Sequence, residues 1–257
     1  MRDVDVINII ETVLRNLIQE VINDEWQNQP QINTADLEKK RRSDSRKRPE
    51  RIGEAPLIEF LEFSQLKGII VHEWQRFEDA LGNQEAFELD MTRLHGFRNP
   101  KMHSRELLVY EEDLVNGITG RMRAQIAKYR SEQGPDMNYY PTIDRIIDAT
   151  FAETLTDGLK SSVTLRPGDK VTFRCSATDP NGRPFRWELR VSKAAGQQPT
   201  VDEADGNDVE LTWEVQDEHV KDGNSASIKL IGSGNYHRNG FYDDSFHIYY
   251  DVHPPKH

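Results

Sequence analysis

The sequence predicts an α+β protein in separate domains, an all-α helical bundle followed by an antiparallel β-sandwich. Two observations carry this. The apolar residues recur at helical spacing up to about residue 160 and at a period of two after it. Turn-forming pairs such as Pro167-Gly168, Asn181-Gly182 and Asp222-Gly223 then punctuate the second half. The expected division is a helical domain over 1–133, a linker with a short helix over 134–160, and a sandwich over 161–257.

Taken in order, the first helix carries the stripe Ile7, Ile10, Val13, Leu14, Leu17, Val21 and Ile22. A second covers Glu59 to about Ala80, burying Leu61, Leu66, Ile69, Ile70, Trp74 and Phe77, and Gly82-Asn83 stops it. A third spans Glu85 to Phe97, and a fourth runs from Glu111 to about Ser131 with Leu114, Ile118, Met122 and Ile126 inward. Gly134 to Pro141 reads as linker, and Thr142 to about Leu155 as a short helix. The strands are expected around Phe173, Trp187, Trp213, Ile228 and Ile248, each flanked by alternating apolar residues.

Composition narrows the function classes. The chain has 257 residues, 33 Lys+Arg against 44 Asp+Glu, and a formal net charge of −11. An acidic protein does not wrap nucleic acid non-specifically, although clustered cations still bind phosphate locally. No apolar run is long enough for a membrane helix, and Met1-Arg2-Asp3-Val4-Asp5 lacks a signal-peptide core. The single cysteine, Cys175, excludes an intrachain disulfide and a multi-cysteine zinc site. The expectation is a cytoplasmic protein with no membrane partner and no cofactor or metal.

One segment breaks the acidic background. Lys39, Lys40, Arg41, Arg42, Arg46, Lys47, Arg48 and Arg51 crowd together. Such a run is a solvated loop or helix face, a patch for RNA phosphate, or a nuclear-import signal.

The segment that bears chemistry is Leu94-His95-Gly96-Phe97-Arg98-Asn99-Pro100-Lys101-Met102-His103-Ser104-Arg105. Phe97-Arg98 is expected to end one helix and Asn99-Pro100 to open the next, since Asn caps helices and Pro suits the first helical position. That break would let Arg98 and His103 converge beside a helix N-terminus, a combination suited to a phosphate group.

The spacing of Arg98-Asn99, three residues, then His103 resembles the signature of HEPN domains (higher eukaryotes and prokaryotes nucleotide-binding), which are four- or five-helix bundles. The likeness extends to Phe60-Leu61-Glu62-Phe63 through Ile70, to Trp74, Phe77 and Gly82, and to Ser104-Arg105-Glu106-Leu107. It covers roughly residues 55 to 131 and looks like the branch found in RNA-quality-control endonucleases and bacterial defence and toxin proteins. It implies a metal-independent endoribonuclease, active as a homodimer with two motifs facing one cleft, that leaves 2′,3′-cyclic phosphate ends. His103 would be the general acid/base, because an imidazole titrates near pH 6.5. Arg98 would neutralise the phosphorane. Asn99 would orient the phosphate or His103, or cap the helix. Lys101 and Arg105, together with Lys39, Lys40, Arg41 and Arg42, would hold substrate phosphates. The competing expectation is a non-catalytic dimeric module of the same family that binds nucleotide or protein.

In the second half, Cys175 followed by Trp187 resembles the strand B cysteine and strand C tryptophan of immunoglobulin domains, with the second cysteine missing. The sandwich is expected to recognise a protein partner or regulate the nuclease. The loop Tyr236-His237-Arg238-Asn239-Gly240-Phe241-Tyr242 reads as a recognition surface or as a plain strand connection.

Overall fold

The computed structural model of the chain describes residues 3–47, 55–102, 107–132, 140–151 and 153–255. These divide into a unit of helices up to Glu132 and a unit of strands from Tyr140.

In the helical unit, α1 (Asp3–Ile22) is the central element. Its residues Ile10, Val13, Leu14, Leu17 and Ile18 are completely buried, because α1 packs against several neighbours and buries more than one stripe. A 3-10 turn (Asn23–Asn28) places Trp26 in the same core, and α2 (Thr34–Lys47) follows. The helix α2 buries Leu37 and is otherwise polar. The basic run therefore starts on a helix, and its members Arg48 and Arg51 lie outside the described residues.

The single helix expected over 59–80 is three pieces: a 3-10 turn (Leu57–Phe60), α3 (Phe63–His72) and α4 (Trp74–Leu81). The amide of Glu62 donates to the Gln65 side chain at 2.8 Å, closing the start of α3. The break falls at Glu73, whose carboxylate accepts from Gln29 Nε2 at 2.8 Å, a contact no local pattern announces. At the end of α4, Gly82 has φ +80, a conformation that side chains disfavour. The helices α5 (Gln84–Met102) and α6 (Val109–Glu132) complete the unit, with Phe87, Met91 and Leu94 meeting Ile118, Met122 and Ile126 in one core.

The second unit has nine strands in two sheets among the described residues. One sheet takes β1 (Thr142–Asp148), β2 (Glu153–Thr154), β4 (Lys170–Thr178) and β7 (Asp208–Glu214), in the order β2-β1-β4-β7. The other takes β3 (Lys160–Leu165), β5 (Phe185–Val191), β6 (Thr200–Asp205), β8 (Lys221–Gly232) and β9 (Asp244–Val252), in the order β3-β9-β8-β5-β6. Between them lies a core of Phe173, Cys175, Trp187, Leu189, Leu211, Trp213 and Tyr250. All five strands expected from alternation are present.

Two expectations are corrected. The segment expected as a short helix, from Thr142, is β1, paired along its length with β4, so the sheet unit begins some twenty residues earlier than 161. Its inward positions are Thr142, Asp144, Ile146 and Asp148, so the buried face is mostly polar and the isoleucines split between faces. The second correction is that the sandwich is not wholly antiparallel, because β3 runs parallel to β9 along the sheet edge. The Tyr250 hydroxyl donates to Asp148 Oδ2 at 2.9 Å, linking the two sheets through the core.

Candidate active site

The site assembles on a buried carboxylate. Glu11 sits in α1 among Ile9, Ile10, Val13 and Leu14, and only 5% of its surface is exposed. A carboxylate there must be paired to remain charged. Arg15, one turn on, donates from Nη2 to Glu11 Oε2 at 3.1 Å and to the Leu61 carbonyl at 3.0 Å. The second cation arrives from α5, where Arg98 Nε stands 3.2 Å from Glu11 Oε1. That contact is an ion pair outside hydrogen-bonding geometry, so Oε1 accepts no hydrogen bond.

Glu62, at the start of α3, is the second acid. Lys40 of α2 donates to Glu62 Oε1 at 2.6 Å. This bond holds the Glu62 carboxyl below the usual carboxylate range, and the charges of Arg98 and Arg15 add to the effect. Four elements thus bring Arg15, Arg98 and Lys40 around Glu11 and Glu62, three cations on two acids. The Arg98 side chain keeps 36% of its surface exposed, so its charge is anchored at one edge yet accessible to water.

The predicted residues fare differently. Arg98 and Lys40, far apart in sequence, are brought together through Glu62. Asn99 and Lys101 lie on the helical backbone of α5, and His103 and Arg105 lie outside the described residues. The helix expected to end at Phe97-Arg98 runs on to Met102. Asn99 is therefore not a helix N-cap, and the free amides of a new helix start are not present at that point. Pro100 falls in the last turn of α5, whose helical backbone continues past it to Met102. His95 is exposed and its ring stacks on the buried Phe63 at 6.1 Å, an ordinary surface role.

Sequence reasoning missed Glu11, Arg15 and Glu62. A signal existed for the first pair: an acid and a base four residues apart inside the most apolar stripe of the chain.

The sandwich holds its polar interior differently. His219 is buried, and its Nδ1 accepts from Trp213 Nε1 at 3.1 Å and from the Gln216 amide at 2.9 Å. Two donors on Nδ1 leave the proton on Nε2, and burial lowers the His219 pKa. Burial pushes the Cys175 thiol far up, which makes it an inert core group. In the loop 233–243, Asp243 accepts from the amides of Gly232 and Arg238 at 2.6 and 3.1 Å, while Tyr236 and Phe241 are largely exposed.

No protein-family model matches this chain, and no curated protein matches it.

Proposed function

We propose that the chain is a metal-independent endoribonuclease of the HEPN type, acting in a toxin or anti-phage defence setting. The observation that carries the reading is the seat of Arg98: the first residue of the Arg98-Asn99-x-x-x-His103 pattern is a half-exposed cation anchored on the buried Glu11. A guanidinium so fixed suits charge that develops late in a reaction, because it need not be reorganised at that moment. In the proposed step, His103 takes the proton of a ribose 2′-hydroxyl and the 2′-oxygen attacks the adjacent phosphorus. The bond to the 5′-oxygen breaks, that oxygen takes a proton, and the product end is a 2′,3′-cyclic phosphate. Arg98 faces the charge on the phosphorane oxygens. Asn99, Lys101 and Arg105 complete the phosphate contacts, and two protomers share one cleft. The protein works in the cytoplasm.

The strand orders β1-β4-β7 and β3-β9-β8-β5, with Trp187 on β5 and Cys175 on β4, resemble an immunoglobulin-type sandwich. We assign it the recognition or regulation of a protein partner.

One observation favours a second reading. The Glu11–Arg98 pair also serves packing between α1 and α5, as it would in a non-catalytic dimeric module. Incubating the full chain with total RNA in EDTA and mapping the ends separates the two. New 2′,3′-cyclic phosphate ends that vanish in His103→Ala support the nuclease. Cleavage undiminished in His103→Ala overturns it, as does intact RNA under every activating condition tried.

A further inference from the structure

The basic run of α2 is divided by the helix into two faces with different tasks. At 3.6 residues per turn, Lys39, Arg42 and Arg46 fall within an arc of about 60°, on the side opposite the buried Leu37. All three are exposed and line a shallow groove of about 570 Å³ with Ala35, Glu38 and Ser43. None of the three has an ion-pair partner among the described residues. Lys40 and Arg41 point elsewhere: Lys40 is spent on Glu62, and Arg41 grips both oxygens of Glu38 at 2.9 and 2.8 Å. The second contact matters for the groove, since Glu38 is the only acid among its described lining residues and Arg41 neutralises it. Asp36 and Asp44, the remaining acids of α2, do not line the groove.

We propose that Lys39, Arg42 and Arg46 form a docking face for the phosphate backbone of single-stranded RNA, and that Lys40 and Arg41 belong to the fold. The three Cα atoms span about 10 Å along the axis at 1.5 Å per residue, so the face presents a row of cations rather than a point. A row of unpaired cations on an otherwise acidic chain gains affinity by releasing the counterions of a polyanion. The inference rests on RNA being the ligand of the proposed nuclease, but not on cleavage.

The test uses the full chain and a non-cleavable 2′-O-methyl oligouridylate, with affinity measured by fluorescence anisotropy across a salt series. Each of Lys39→Gln, Arg42→Gln and Arg46→Gln should reduce the slope of log K against log salt by about 0.7, and the triple variant by about 2. Arg41→Gln should leave the slope unchanged even where it lowers the melting temperature. A triple variant with the wild-type slope overturns the proposal. So does a slope reduced as much by Arg41→Gln, or equal binding of poly-glutamate, which would make the face a site for acidic protein. RNA cleavage by the wild type, together with a wild-type slope in the triple variant, would sink the docking face and spare the nuclease. Slope loss in the triple variant, with no cleavage by the wild type, would do the reverse.

Discussion

The helical unit and the sandwich each bury carboxylates, but they satisfy them with different partners. Glu11 takes two cations, and one of them, Arg98, comes from 87 positions away and stays half-exposed. Asp148 in the sandwich takes neutral donors, the Tyr250 hydroxyl and the amides of Thr150 and Phe151. Other buried acids of the sandwich have cations close by in sequence: Arg183 grips Asp179 four residues back, and Arg186 and Arg190 flank Glu188. A neutral hydrogen bond inside a core satisfies its group and ends there. A long-range ion pair with one cation open to water holds a charge that a phosphate can still reach. That contrast sets an accessible charge in the helices against closed, structural pairs in the strands.

The largest expected effect tests the helical side. His103→Ala should cut the rate of RNA cleavage by about a hundred- to ten-thousand-fold through lost proton transfer. Arg98→Ala should cost roughly 3 kcal/mol of transition-state stabilisation. The two should differ in stability: Arg98→Ala also strips a cation from Glu11, so it should lower unfolding free energy by about 1–2 kcal/mol, with Arg15 still in place. Denaturant titration beside a cleavage assay reads both. Unchanged cleavage in Arg98→Ala would erase the contrast.

Next comes the sandwich. Tyr250→Phe removes a donor from the buried Asp148 and should destabilise by about 1–3 kcal/mol without touching cleavage. A loss of cleavage in this variant at temperatures where it remains folded would show that the two units are coupled.

The third prediction concerns pH. The unfolded chain protonates His219 near its ordinary value of 6.5, whereas the folded sandwich resists, so its contribution is full above that pH and is lost as pH falls below it. Glu62 works at a lower window. Its folded pKa lies under the ordinary 4.5, so its contribution is full above that value and is lost on further acidification. Asp148 has the opposite sense, since burial raises its pKa and its contribution fades as pH rises above 3.8. Comparing wild type with His219→Asn cancels Asp148. The stability advantage of the wild type should shrink below pH 6.5 by at most about 1.4 kcal/mol per pH unit. A difference that stays flat from pH 7 to pH 5 refutes the assignment of a neutral His219.

The smallest effect is expected on the sandwich surface. Arg174 and Glu210 pair across β4 and β7 at 2.8 Å, both more than half exposed. Arg174→Ala should change stability by less than about 0.5 kcal/mol. A loss above about 1 kcal/mol would mean that the pair does more than decorate the surface.

The sequence by itself determined the two-part organisation, the five strands with clean alternation, and the helices whose apolar stripes face one core. Periodicity is a local property, and burial follows it wherever the inward residues are apolar. It failed at β1, where Asp144 and Asp148 point inward because the hydroxyls of Thr178 and Tyr250 supply hydrogen bonds from distant positions. It failed again at Glu73, where the helix breaks at a residue whose carboxylate accepts from the distant Gln29, and at Asn99-Pro100, where α5 runs on. At the site, the spacing of Arg98 and His103 was legible and so was the density of cations from Lys39 onward. Only the tertiary structure decided that Glu11 holds Arg98, that Lys40 belongs to Glu62, and that Lys39, Arg42 and Arg46 share an open face. The reason is physical: a side chain's charge is written in the sequence, but whether that charge is neutralised depends on which residue the fold brings within about 4 Å of it.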